Sequence, residues 1–141
     1  MTISQNNNFK SVEIISNEAA MKYYSSANST AHMYSRKDRF NQAIILNNNS
    51  KIDNGFFVDK GHDNGKEVHI VTTSGCIFIY NARTSKLVTV LIARANQVKR
   101  LYNHCGQFAP RGILNNCYEH SKVALNTIWL DKLTSIWDNR L

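Results

Sequence analysis

A single proline, Pro110, and six glycines punctuate a chain of 141 residues. So few breakers exclude a long Pro- or Gly-rich linker and a low-complexity chain. The three cysteines, Cys76, Cys105 and Cys117, are odd in number and widely spaced, which is not a disulfide framework. No apolar run approaches the ~18 residues that a membrane helix needs. The opening MTISQNNNFK is polar and has no apolar leader core, so no secretory signal is read there. A cytoplasmic protein without membrane contact is the expectation.

Short chemical signatures are also missing. There is no GxSxG nucleophile turn, and neither GxxxxGK[ST] nor GxGxxG to cradle a phosphate. Cys76 falls in a strand, with nothing beside it in sequence to activate it. His32, His62, His69, His104 and His120 form no HxxxH pair, and the cysteines form no CxxC, so no metal or other cofactor is expected. Only a spatial meeting of His104, Cys105 and His120 would change that. Asp59, Asp63 and Glu67 are too loosely spaced to define a cation site.

Positive charge is present in excess. Lys and Arg number 17 against 10 Asp and Glu, a net charge of +7. The excess is greatest in residues 51–104, which hold eight basic and four acidic groups. This balance permits a nucleic acid or an acidic protein as partner.

Residues 1–10 are Asn-rich and read as a disordered N-terminus; residues 11–141 read as one domain. SVEII (11–15) suits a short strand or the lead-in to a helix. Ser16 or Asn17 is a fitting N-cap for a helix over 17–27. A short helix near 30–37 and an extended 39–46 follow, and 47–55 reads as a turn or loop. From FFVDK onward the period becomes two. GHDNG is a loop, EVHIVTT and CIFIYN are strands, NARTSK is a turn and LVTVLIAR is a strand. ANQVKRLYNH suits a short helix or a last extended segment. Pro110 marks a break, and ILNNCYEHSKVALN and TIWLDKLTSIW carry helical stripes. The fold class is α+β, a central antiparallel sheet of about four strands flanked by N- and C-terminal helices.

With Ser74-Gly75 as a two-residue turn, Val71 pairs with Phe78 and His69 with Tyr80. With Asn81 opposite Lys86, Ile79 meets Val88. One face then collects Val68, Ile70, Ile77, Ile79, Val88, Val90 and Ile92 as core. The other presents His69, Val71, Thr73, Cys76, Phe78, Tyr80 and Thr89 to solvent. A slip of one residue exchanges these sets, so the assignment rests on the turn.

His62 and His69 are the candidate acid–base pair, because imidazole titrates near neutrality. In RNA cleavage a base takes the 2′-hydroxyl proton, an acid protonates the 5′ oxygen, and a cation stabilises the phosphorane. His69 is read as base and His62 as acid, with the roles exchangeable. Arg83 and Arg94 complete the candidate catalytic set. Lys60, Asn64, Tyr80, Thr84, Gln97, Lys99 and Arg100 are the candidate nucleic-acid contacts: cations for phosphate, Gln97 for a base or sugar, Tyr80 and Phe78 for stacking. The same residues also fit an ordinary hairpin, with one loop histidine, one strand histidine and solvated charges.

The stretch GHDNGKEVH…IFIYN…KLVTVLIAR…QVKR, with the later YEHSKVALN, resembles a group of small proteins from phages, plasmids and integrative elements of Gram-positive bacteria. The likeness covers about residues 56–126. Matched positions are His62, Asn64, His69, Asn81, Thr84, Thr89, Arg94, Gln97 and Arg100. It departs at Ala95, where the pattern has Pro, and at Leu101, which separates Arg100 from Tyr102. The layout is similar to the barnase–EndoU–colicin–RelE nucleases. The resemblance implies a metal-independent ribonuclease in a bacterial host, acting on a CRISPR guide RNA. Its alternative is a non-catalytic inhibitor that binds an RNA-guided nuclease or its guide.

Overall fold

The computed structural model describes residues 9–25, 47, 50–63 and 65–122. They form an α+β architecture built on a five-stranded antiparallel sheet. Strands β1 (Ser11–Ile15), β2 (Ile52–Asp59), β3 (Lys66–Thr72), β4 (Cys76–Asn81) and β5 (Leu87–Ile92) lie side by side in chain order. SVEII supplies the fifth strand, and β2 begins four residues before the expected FFVDK. The helices are α1 (Asn17–Ser25), α2 (Ala95–His104) and α3 (111–122). The expectations for 1–8, 26–27, 30–37, 39–46 and 127–137 lie outside the described residues, as does Asn64. Phe9 and Lys10, assigned to a disordered end, belong to the fold: Lys10 N–H donates to the Asp59 carbonyl, and Phe9 packs against the core.

The β3–β4 register differs from the expected one by one residue. Val71 pairs with Ile77, His69 with Ile79 and Val68 with Tyr80. The connection is three residues, Thr73-Ser74-Gly75. Gly75 N–H donates to the Thr72 carbonyl at 3.0 Å, and Gly75 takes φ 90°, so a turn is followed by a left-handed glycine. The Thr72 hydroxyl fastens the next residue by accepting Cys76 N–H. Because side chains alternate, this single extra residue moves all of β4 to the opposite face. At the other hairpin, Asn81 N–H does bond the Lys86 carbonyl, and Tyr80 pairs with Leu87. Val88 is then left over as a bulge, so Ile79 meets Thr89 rather than Val88.

Neither face is left open. On one, Val68, Ile70, Cys76, Phe78, Tyr80 and Val90 form a core with Ala20 of α1. Tyr23 and Tyr24 of α1 lie against Tyr80 and Phe78. On the other, Val12, Phe56, Val58, Val71, Ile77 and Ile79 pack under Val98, Leu101 and Tyr102 of α2 and Ile113 and Cys117 of α3. Burying each such side chain contributes ~1.5–3 kcal/mol.

Local chemistry sets the helices. The Ser16 hydroxyl accepts Ala19 N–H at 3.1 Å, capping α1. Gly55 has no Cβ, which lets Ala20 sit directly on β2. Gln97 Oε1 accepts Arg94 N–H at 2.8 Å at the start of α2. Ala95 is the first helical residue, a position that suits Pro or Ala alike. Asn116 and His120 of α3 donate to the Thr73 and Ser74 carbonyls, docking it on the β3–β4 turn.

The sheet therefore has two distinct ends. One carries Lys10, the β2–β3 loop and the β4–β5 turn; the other carries Lys51, the β3–β4 turn and Arg94.

Candidate functional site

Glu67 and His69 stand two residues apart on β3, so their side chains share the face beneath α2. His69 Nε2 lies 2.8 Å from Glu67 Oε1, and Lys60 Nζ lies 3.1 Å from the same oxygen. Exposure falls inward: the Lys60 side chain is 35% accessible, Glu67 15% and His69 7%. Phe9 meets the His69 ring edge-on at a centroid distance of 5.8 Å. Arg100 of α2 places its guanidinium carbon 5.8 Å from the Phe9 ring centre, and His104 lies against the same ring.

The electrostatics follow from this packing. Burial alone raises the Glu67 carboxyl, but the hydrogen bonds and charges of His69 and Lys60 outweigh it and hold Glu67 below the usual carboxylate range. Burial lowers His69, and the Glu67 carboxylate only partly restores it. At neutral pH the pair is thus a carboxylate and a neutral imidazole. The proton sits on Nε2, donated to Glu67, which leaves the Nδ1 lone pair as a base. Among the described residues, no hydrogen bond of Nδ1 is formed.

The structure does not gather the four residues that the sequence proposes for catalysis. His62 is exposed on the β2–β3 loop, whereas His69 is buried inside the sheet face. Arg83 and Arg94 are both exposed, but they flank opposite ends of the six-residue β5. At the rise of an extended strand they are about 20 Å apart. Arg94 also holds the N-cap position of α2.

The proposed nucleic-acid contacts divide similarly. Tyr80 is 2% exposed and Phe78 4%, so neither stacks on a base. The error follows directly from the one-residue register difference. Burial also raises the Tyr80 hydroxyl far above its ordinary range. Gln97 is engaged in capping α2, and Lys99 Nζ lies 3.4 Å from the Tyr118 hydroxyl on α3. Thr84 is in the β4–β5 turn, where Asn81 Oδ1 accepts its N–H and that of Arg83. Lys60 does meet the Glu67–His69 pair, and Arg100 reaches the Phe9 ring that covers it. Of the contributors missed, Glu67 had a readable signal, since alternate residues of KEVH share one strand face. Phe9 and His104 come from distant parts of the chain and had none.

The other chemistries find no support in the geometry. Cys105 Sγ approaches the Val12 carbonyl on β1, while His120 bonds the Ser74 carbonyl at the β3–β4 turn, so the suggested His–Cys–His meeting does not form. Among the described residues, no group of three or more His, Cys, Asp or Glu is placed to hold a metal ion. Burial raises the Cys76 thiol and pushes Cys117 up to about 11, against nucleophilic use at neutral pH. Among the described residues no helix is long and apolar enough to cross a membrane. Comparison with protein-family models, with curated proteins and with solved structures finds no match.

Proposed function

We propose that the protein binds RNA and cleaves it without a metal ion, with His69 as general base and Glu67 as the residue that positions it. The observation that carries this reading is the 2.8 Å Glu67–His69 bond, bordered by Lys60, with Arg100 over the Phe9 ring that covers His69. A carboxylate that accepts a hydrogen bond from Nε2–H fixes the tautomer and leaves the Nδ1 lone pair to accept a proton. In the reaction His69 takes the 2′-hydroxyl proton, and the 2′ oxygen bonds to phosphorus. The P–O5′ bond breaks, and the 5′ oxygen takes a proton from solvent. The products are a 2′,3′-cyclic phosphate and a 5′-hydroxyl, and His69 returns its proton to water. Lys60 supplies positive charge for the phosphorane. This reading assigns His62 no role, unlike the two-histidine mechanism.

A second reading has its own observation. His69 is 93% shielded at its side chain and covered edge-on by Phe9. On that basis the protein binds a guide RNA, or the nuclease that carries one, and blocks it without cutting.

The test is incubation of purified protein with a single-stranded RNA and a CRISPR guide RNA, free and effector-bound, in EDTA. Cleavage that survives His62→Ala and disappears in His69→Ala supports the catalytic reading. A gel shift with intact RNA sinks it and leaves the inhibitor. Intact RNA with no shift sinks both.

A further inference from the structure

Resting on RNA as the ligand, we infer that the hairpin end of the sheet is a phosphate track for single-stranded RNA, leading to the Glu67–His69 pair. Antiparallel pairing collects here residues that are distant in sequence. Lys10 bonds beside Asp59, Asp59 pairs with Lys66, Ala82 N–H donates to the Lys66 carbonyl, and Asn81 N–H donates to the Lys86 carbonyl. Lys10, Lys66, Arg83 and Lys86 are all exposed along this edge. Lys60 sits where the edge turns onto the face beneath α2 and pairs with Glu67.

The carboxylates at this end are largely engaged. Asp59 Oδ1 accepts Gly61 N–H at 2.7 Å, and Glu67 is turned inward to His69 and Lys60. Among the described residues at this end, Asp63 on the loop is the remaining acidic group. At about 4.8 Å between strands, the row from β1 to β5 extends about 19 Å. That length accommodates a few successive phosphates of one strand. A narrow row of hairpin tips tracks a flexible backbone, and attack by a 2′-hydroxyl requires a strand free to bend into line. The exposed cations outnumber the exposed rings at these tips, where His62 is the exposed ring among the described residues, so the contact is mainly to the backbone, with little preference for base.

The test separates location from net charge. A fluorescent 2′-O-methyl RNA, which lacks the attacking hydroxyl, is titrated against wild type, Lys66→Glu/Arg83→Glu and Lys51→Glu/Arg94→Glu. Both double variants change the net charge equally, and circular dichroism checks each fold. The hairpin-end variant is expected to bind about tenfold more weakly, with a salt dependence lower by about 1 to 1.5 log units per log unit of salt. The far-end variant is expected to bind within about twofold of wild type. Equal losses in the two variants, no loss in the first, or equally tight binding of an RNA duplex would overturn the track. Because the probe is not cleavable, this result is independent of cleavage. Binding by the track without any RNA cutting would retain the track while defeating the catalytic proposal.

Discussion

His69 Nε2 lies 2.8 Å from Glu67 Oε1, two residues earlier on the same face of β3. A single strand thus supplies both the proposed base and the carboxylate that orients it, and Lys60 approaches the same carboxylate oxygen at 3.1 Å. Replacing Glu67 by Gln keeps the shape but removes the charge that selects the Nε2–H tautomer. RNA cleavage is expected to fall about 10²-fold or more, with affinity for a non-cleavable RNA nearly unchanged. A loss of affinity instead of rate would make Glu67 a binding residue.

The same pair makes stability depend on pH. His69 is depressed from about 6.5 by burial, so the unfolded chain binds its proton more readily than the folded one. Its contribution is fully present above about pH 6.5 and is lost as the pH falls through its lower folded value. Glu67, held below 4.5 by His69 and Lys60 against the opposing effect of burial, adds a further loss at still lower pH. Urea unfolding from pH 8 to pH 5 should show stability declining on the acidic side, and His69→Gln should flatten the decline. A flat wild-type profile across this window would mean that His69 is not buried as the neutral imidazole.

Phe9 covers His69 and is itself flanked by Arg100 and His104. Phe9→Ala should leave the sheet folded, because β1 and its pairing with β2 start two residues later. Modification of His69 by diethyl pyrocarbonate, located by mass spectrometry, is expected to become at least several-fold faster. An unchanged rate would show that Phe9 does not control access to the imidazole.

Tyr80 separates the two faces of the sheet experimentally. It is buried under Tyr23 of α1 and makes no part of an RNA surface. Tyr80→Ala is expected to destabilise the fold by about 3–5 kcal/mol through cavity formation. Tyr80→Phe should leave RNA affinity unchanged. A loss of affinity in Tyr80→Phe without a change in Tm would contradict the observed register.

Gly55 offers a test of α1 packing. A Cβ there would stand 2.8 Å from Ala20 Cβ and 2.9 Å from Ile15 Cγ1. Gly55→Ala should therefore cost about 1–3 kcal/mol as α1 is pushed off the sheet, measured by chemical denaturation.

The strands were legible because β-branched and aromatic residues recur between turn signals, and the boundaries of CIFIYN coincide with β4. The faces were not, for two physical reasons. Ser74-Gly75 looks like a two-residue turn, but Thr73 joins it, and Gly75 in the left-handed region absorbs the extra residue. Both faces are also covered by helices, so alternation between apolar sets gave no sign of which register was right. Of the site, His69, Lys60 and Arg100 were visible as chemistry-bearing residues. Their meeting with Glu67 and Phe9 required the fold, since α2 and the residue before β1 reach β3 only through packing. Arg94 attracted attention by residue type, yet the strand geometry places it at the opposite end of the sheet from Lys60, while His62 stays on the exposed β2–β3 loop.

The most direct measurement is nitrogen-15 NMR of the imidazoles at neutral pH, with His69 assigned by its absence from His69→Gln. A neutral ring protonated at Nε2, changing tautomer in Glu67→Gln, is the expected result. An imidazolium at neutral pH, or a ring protonated at Nδ1, would contradict the role of His69 as a base held by Glu67.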